Sequence, residues 1–359
     1  MLKIVHCADL HLTSGVEKNY SLSVLEEILE LVRRKKAVFL IIAGDLFDSF
    51  DDMVALKPAF RERVDAAGDL NILFVPGNHD VLRMKDRSFS SHSIGRSVTI
   101  LKVEPFELIT SDECEILAIP HQQSYAGYNE WDVPKKTLPR IAVLHGLVNG
   151  MDIYTGPESA VEEDGAVATD PDIFTRFEVD YAALGHIHAR KQKRIGGCEL
   201  NYPGSARVWR RGETGPRGVN LLNVGTRIGA EWMPLSSAGE YRLYDLPIGL
   251  DGTLNGLGGL SQGWGKTDLI EINLRGIVED ENTVAALKER IENDLKNRVR
   301  GISISFNNVK TVPGILTQPI ARKFMEKMKA LEPGTEPRLW LKALELGLAE
   351  IANVLGGGK

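Results

Sequence analysis

Val38-Phe39-Leu40-Ile41-Ile42-Ala43-Gly44-Asp45-Leu46-Phe47-Asp48 carries an unbroken apolar run that stops at a glycine and then an aspartate. Such a run, with no polar alternation, predicts a strand covered on both faces, as in parallel sheets. The pattern recurs along the chain. Ile72 to Val75 leads into Gly77-Asn78-His79-Asp80, Ile141 to Leu144 into His145-Gly146, and Tyr181 to Leu184 into Gly185-His186-Ile187-His188. Met1-Leu2-Lys3-Ile4-Val5-His6 runs into Asp9-Leu10-His11 in the same way. Each polar ligand-type side chain therefore falls at the carboxyl end of a predicted strand, where open α/β folds build their sites.

Between the first two of these strands the sequence predicts a helix. Ser23 and Glu26 have capping-box spacing, Leu25, Ile28, Leu29 and Val32 make one apolar face, and Arg33 to Lys36 sit in the last turn. After about residue 195, Cys198 to Tyr202, Gly218 to Val224 and Gly229 to Met233 read as hairpin strands completing a second sheet packed on the first. Residues 234–240 read as a linker. Leu269 to Leu274, a helix near Thr283 to Val299, and Ile302 to Phe306 make a β-α-β unit. The run Gly249 to Gly265 lacks the order of a phosphate loop and reads as a loop or short helix. Phe324, Met328 and Leu331 share one helical face. Trp340, Leu344, Leu348, Ile351 and Leu355 share another after the Pro333-Gly334 turn, giving a terminal hairpin that is either core or a docking surface. Gly356 to Lys359 is expected to be disordered. The division expected is 1–235, 236–312 and 313–359.

With 359 residues, 43% hydrophobic and 26% charged, the chain has the composition of a soluble globular protein with two or three folding units. No apolar stretch is long enough to span a membrane. The first motif follows the N-terminus so closely that a cleavable leader is not expected. Cys7, Cys114 and Cys198 are scattered, which indicates neither a zinc knuckle nor a disulfide framework and fits a reducing cytoplasm. The net charge of -6 argues mildly against nucleic acid. Against that, Arg190, Lys191, Lys193, Arg194, Arg207, Arg210, Arg211 and Arg217 cluster after the last histidine motif, opposed only by Glu199 and Glu213. They read either as a solvated surface or as a phosphate-backbone track.

The strand-end residues together offer enough oxygen and imidazole ligands for two divalent metals. Asp45 is the candidate bridging carboxylate. Asp9 and His11, spaced i and i+2, can point one way from an extended strand end, as can His186 and His188, and Gly185 allows a tight backbone approach. Asn78 offers an amide oxygen and His145 an imidazole. Nitrogen and oxygen ligands without thiolate fit Mn, Fe or Zn. His6, His92 and His121 fall outside the motifs, although His121, after Ile119-Pro120, is placed to line the pocket.

These motifs, in this order, resemble the calcineurin-like metallophosphoesterase superfamily over roughly residues 1–225. The resemblance implies a four-layer α/β/β/α sandwich with a small β-α-β capping domain and C-terminal helices. By position it implies one metal on Asp9, His11, Asp45 and His188 and another on Asp45, Asn78, His145 and His186. His79 would then stabilise or protonate the leaving oxygen, oriented by Asp80. Hydrolysis would proceed by in-line attack of a hydroxide shared between the ions.

His6-Cys7-Ala8-Asp9-Leu10-His11-Leu12, Asp180 to His188 and Tyr202-Pro203-Gly204-Ser205 are similar to the SbcD-type DNA repair nucleases. That likeness implies a Mn-dependent DNA exonuclease and single-strand endonuclease, a homodimer, and an SMC-like, SbcC-type ATPase gripped by the terminal helices. Asp48 stands where well-studied relatives carry a second active-site histidine. Asp48, Arg190, Lys191 and Arg207 are the expected substrate-side residues. Two other readings compete: a phosphodiesterase or phosphatase of small molecules such as cyclic nucleotides, and a scaffold without activity. The scaffold reading has no physical need for clustered carboxylates without metal.

Overall fold

The computed structural model describes residues 1–68, 70–80, 92–151, 167–254, 256–295 and 298–356. The chain divides into two compact units, Met1–Glu240 and Tyr241–Lys359.

In the first unit the chain runs β1 (Leu2–Cys7), α1 (Lys18–Lys35), β2 (Phe39–Ala43), α2 (Phe50–Ala66), β3 (Asn71–Val75) and β4 (Val98–Ile100). It continues through β5 (Glu107–Thr110), β6 (Glu115–Ile119), β7 (Arg140–His145), the short β8 (Leu147–Val148) and β9 (Ala168–Thr169), and α3 (Asp172–Arg176). Then follow β10 (Tyr181–Gly185), β11 (Lys191–Ile195), β12 (Cys198–Tyr202), the two-residue β13 (Gly215–Pro216), β14 (Gly218–Val224) and β15 (Ile228–Pro234). Two six-stranded sheets result, ordered β15-β14-β1-β2-β3-β4 and β11-β12-β10-β7-β6-β5. Strands β1 to β4 are mutually parallel, as are β6, β7, β10 and β12.

Strand periodicity explains the layering. Ile4, Ile41, Ala43, Leu73 and Val75 of the first sheet meet Ile116, Ala118, Ile141, Val143, Tyr181 and Ala183 of the second. The alternate residues Val5, Cys7, Leu40, Ile42, Ile72 and Phe74 turn the other way, onto Leu25, Ile28 and Val32 of α1 and Leu56 and Phe60 of α2. On the far side, Leu117, Leu144, Leu184 and Leu200 pack against Ile173 and Phe174 of α3. Both faces of both sheets are thus covered, which is why the strands read as continuous apolar runs. The four layers are the α/β/β/α sandwich expected.

Two local expectations are corrected. Helix α1 begins at Lys18, so Ser23 lies inside it and its hydroxyl donates to the Tyr20 carbonyl at 2.7 Å instead of capping. The hairpin strands also do not all join the second sheet. β12 does, but β14 pairs antiparallel with β1 and carries β15 with it, extending the first. The strands themselves are legible in the sequence; the choice between two sheets of equal apolarity is not.

In the second unit, β16 (Glu240–Ile248) is followed by α4 (Leu257–Leu260), β17 (Leu269–Val278), α5 (Glu281–Leu295) and β18 (Gly301–Thr311). β16, β17 and β18 are parallel neighbours, and Leu287, Ile291 and Leu295 of α5 pack on their Ile270, Ile272 and Leu274. The expected β-α-β unit is present, and the glycine-rich run includes short α4. Residues 255, 296 and 297 within these readings lie outside the described residues. After α6 (Val312–Ile315), helices α7 (Pro319–Leu331) and α8 (Pro337–Gly356) form the expected hairpin. Met328, Leu344 and Leu348 are buried in it, and the Trp340 indole donates to the Met328 carbonyl at 2.7 Å. Leu331 departs from its predicted face and is 59% exposed. The side chain of Leu355 and residues 357–359 lie outside the described residues. Among the described residues no helix is long and apolar enough to cross a membrane.

A polar network crosses the interface between the sheets of the first unit. The Asn220 amide donates to Asn201 Oδ1 at 2.9 Å and to the Tyr181 hydroxyl at 3.2 Å, and His6 Nδ1 lies 3.1 Å from that hydroxyl. Burial holds the His6 imidazole down to about 3 from an ordinary 6.5. The folded chain therefore refuses a proton that the unfolded chain accepts below about pH 6.5. This contribution is full above that pH and is lost as the pH falls towards the folded value. Denaturant unfolding measured between about pH 6 and 4 should lose up to about 1.4 kcal/mol per unit from this group. His6→Gln should show a shallower slope; identical slopes in the two proteins would contradict the assignment.

Candidate metal centre

The site is built where parallel strands end. The loops after β1 and β2 run side by side, with the Asp9 amide donating to the Gly44 carbonyl at 3.2 Å, His11 to Asp45 at 3.0 Å and Leu12 to Leu46 at 2.9 Å. This ladder supports an unusual backbone. Asp9, His11, Asp45 and His186 have positive φ values of 52°, 42°, 51° and 99°. The i, i+2 spacing is therefore not displayed on extended strand, as expected from sequence, but on left-handed turns. For non-glycine residues each turn costs roughly 1–2 kcal/mol, and such strain concentrates at functional sites.

Glycine makes the close approach possible. A Cβ on Gly185 would lie 1.8 Å from the Ala43 carbonyl oxygen, and one on Gly44 would lie 2.0 Å from His145 Nδ1. The contact brings the ends of β10 and β2, in different sheets, together. The His186 amide then donates to both Asp9 carboxylate oxygens, at 2.9 and 3.1 Å.

Asp9, His11, Asp45, Asn78, His145, His186 and His188 all converge. Asp9, His11 and His188 form one group of candidate ligand atoms within 4.8 Å of one another, and Asp9, Asp45 and His145 form another. A third joins His11, Asp45 and His79, so Asp45 lies between the halves. His145 Nε2 and His186 Nδ1 lie 2.9 and 3.2 Å from Asn78 Oδ1, which extends the second group.

The donor chemistry fits cations. His145 Nδ1 donates to the Ala43 carbonyl at 2.9 Å, which turns Nε2 towards the Asn78 oxygen. His188 Nδ1 meets the Glu213 carboxylate at 2.5 Å, which turns its Nε2 towards His11 Nε2, 3.2 Å away. The two facing nitrogens at 3.2 Å repel unless a proton or a metal cation lies between them. Two ligands about 2.1 Å from a shared ion would be about 3.0–3.4 Å apart. Buried Asp45 Oδ2 faces two of these nitrogens, His145 Nε2 at 3.3 Å and His11 Nε2 at 3.7 Å.

The titration of the cluster carries the same message. Burial opposes a proton on His145, but the Asp45 and Asp9 carboxylates and the Ala43 carbonyl outweigh it and raise the imidazole to about 10. Burial, opposed by the charges of His145 and His188, raises Asp9 to about 6. Asp45, despite its burial, is held well below the usual range by His145 and His11. The negative field that retains a proton on His145 would retain a divalent cation in its place.

The remaining expected site residues divide. His79 lies over the centre. Its Nδ1 is 3.0 Å from the Asp48 carbonyl, its amide donates to Asp45 Oδ1 at 3.1 Å, and its ring stands perpendicular to His11 at 4.9 Å. Asp80 does not orient it. The fully buried Asp80 carboxylate accepts from the Asp45 and Gly77 amides at 2.7 and 2.8 Å, so it ties two ligand loops together. Burial and the Asp45 charge raise it to about 8. The sequence order His79-Asp80 suggests a dyad, but adjacent residues in this turn point apart. Asp48 is at the rim, 30% exposed, with Oδ1 3.3 Å from His11 Nδ1.

Arg207 is a correction. It is 2% exposed and donates to the Leu10 and His11 carbonyls at 2.8 and 2.5 Å, so it clamps the first ligand loop and offers no surface to a substrate. Arg217 is buried as well. Arg190 is exposed with its guanidinium 4.8 Å over Trp232, and Lys191 opens the edge strand β11. Sequence reasoning misses Trp209, which lies flat on His11 at 3.8 Å, and passes over Glu213 as a mere counter-charge. Burial works against the Glu213 charge, but His188 and Arg217 bring it down to about 2. His121 is partly buried, its amide donates to the Pro76 carbonyl at 3.2 Å on the loop that carries Asn78, and burial and the His145 charge lower it to about 4.

Arg207→Ala should leave two carbonyls of the Leu10–His11 loop without their donor and lower the unfolding free energy by about 3 kcal/mol. Arg190→Ala should change it by less than about 0.5 kcal/mol. Denaturant unfolding of both variants checks this, and an Arg207→Ala protein as stable as its parent would contradict the clamp.

A family model described as calcineurin-like phosphoesterase matches residues 2–190. Among curated proteins, the chain is 25% identical over 249 residues to the uncharacterized metallophosphoesterase YhaO of Bacillus subtilis. That match covers 62% of this chain and 57% of the relative, so the chain spans little more than half of that relative's length. It is 25% identical over 278 residues to the SbcD component of the nuclease SbcCD from the same organism, covering 67% and 71%. A dimetal phosphatase from Danio rerio aligns at 10% identity with a TM-score of 0.46, covering 64% of this chain and 95% of that one. With more than half of its length matched, and with the strand-end ligand set assembled around one centre, the chain belongs to the calcineurin-like phosphoesterase family.

Proposed function

We propose that the protein is a dinuclear-metal phosphodiesterase that hydrolyses DNA, as an exonuclease and single-strand endonuclease in DNA repair. The observation that carries the hydrolytic part is Asp45, buried between two groups of ligand atoms, with His145 Nε2 3.3 Å and His11 Nε2 3.7 Å from its Oδ2. Asp9, His11, Asp45 and His188 would hold one ion and Asp45, Asn78, His145 and His186 the other, with Mn the first choice and Fe or Zn compatible with the same donors. Two bound cations would supply a water acidified to near neutrality and Lewis-acid contacts to a phosphoryl oxygen. The chain's own contribution is positional. Asp45 would be the carboxylate shared by the two ions, and the Gly44 and Gly185 contacts pack the backbone closely against His145 and Ala43. His79, with Nδ1 held on the Asp48 carbonyl, is set to pass a proton from Nε2 to the departing oxygen.

The choice of DNA is supported by the likeness to a protein named as a component of the SbcCD nuclease. The same likeness supports an SbcC-type ATPase partner, a homodimer and a cytoplasmic location. Residues 236–312 would serve as a cap and 313–359 as the partner-docking hairpin. The exposed Arg190, Arg194, Arg210 and Arg211, with half-buried Lys191, would face a phosphate backbone, with Asp48 at the rim. A second reading, hydrolysis of small phosphodiesters, draws on the burial of Arg207 and Arg217, which removes two cations from the expected track.

The purified chain with Mn should cleave labelled single-stranded DNA faster than cyclic nucleotides. His79→Ala should lower that rate by roughly 10²- to 10⁴-fold with metal content still near two per chain. Turnover of the small esters alone would favour the second reading, and loss of metal from His79→Ala would remove its proposed role.

A further inference from the structure

One short segment, Trp209 to Arg217, touches both imidazoles of the His11 and His188 half of the centre. Glu213 Oε1 accepts from His188 Nδ1 at 2.5 Å, and its Oε2 accepts from the Trp209 amide at 2.8 Å. Arg217 donates to the Glu213 carbonyl and, at 2.7 Å, to the His188 carbonyl. The Trp209 ring covers His11, with centroids 3.8 Å apart and planes 5° from parallel, and meets His188 edge-on at 5.2 Å. The other half shares Asp9 with this one but is held from other parts of the chain. His145 is held by the Ala43 carbonyl, and the His186 amide is held by Asp9.

We propose that the Trp209–Arg217 segment is a positioning strap that sets ion affinity at the His11/His188 half far more than at the Asn78/His145/His186 half, with Glu213 as its principal residue. This rests on the dinuclear reading above. The carboxylate fixes the proton of His188 on Nδ1, aims the Nε2 lone pair at the centre and makes it a stronger donor. The stacked indole restricts rotation of the His11 ring, so both imidazoles of this half are preset before an ion arrives. Glu213 touches no reacting atom and acts through His188.

Calorimetric titration of the metal-free full chain with Mn, in the parent, Glu213→Gln and Glu213→Ala proteins, tests the proposal without reference to turnover. The parent should bind two ions. Glu213→Ala should weaken one step by roughly 10- to 100-fold and leave the other within about threefold, with Glu213→Gln between parent and Ala. Circular dichroism identifies the folded variants, and if Glu213→Ala does not fold, Glu213→Gln decides. Two steps that shift together, or two that do not move in a folded variant, would overturn the strap. A parent that binds no divalent ion would overturn the dinuclear reading itself, a different result from two ions indifferent to Glu213.

Discussion

Asp9, Asp45 and Asp80 are all buried within one cluster, among imidazoles whose Nε2 atoms are turned inward by their own hydrogen bonds. Carboxylates at such depth are costly unless a positive charge accompanies them. Without metal, a proton kept on His145 and another on Asp80 partly answer that demand. With metal, the ions would answer it. Much of the local structure follows from holding this charge in place: the left-handed turns, the two glycine contacts and the ladder between the first two loops.

The scaffold and the site depend on each other through the sheets. Strands β1, β2 and β3 deliver Asp9, Asp45 and Asn78 from one sheet, while β7 and β10 deliver His145 and His186 from the other. Packing between the sheets therefore fixes the spacing of the ligands. The His6, Tyr181 and Asn220 network lies in that same interface and adds direction to contacts that are otherwise apolar. Such a network favours one register of the two layers over others.

Much of this is legible in the sequence for a physical reason. A strand buried on both faces has to be apolar throughout, so the polar residues after it stand out, and Asp45 after Phe39–Ala43 is the clearest case. Legibility fails where side chains act across the chain or where neighbours diverge. Asp80 follows His79 but serves the backbone of Asp45 and Gly77. Arg207 reads as surface charge because its partners, the carbonyls of Leu10 and His11, carry no sequence signal. Trp209 and Glu213 reach His11 and His188 through a turn that no strand pattern announces. The β14–β15 hairpin joins the first sheet against expectation, since the pairing of β14 with β1, more than 200 residues earlier, leaves no local pattern.

Diffraction from crystals grown with Mn, recorded at its absorption edge, tests the central assignment most directly. The account predicts two anomalous peaks about 3.5–4 Å apart, each within bonding distance of Asp45. A single peak, or peaks remote from Asp45, would contradict it.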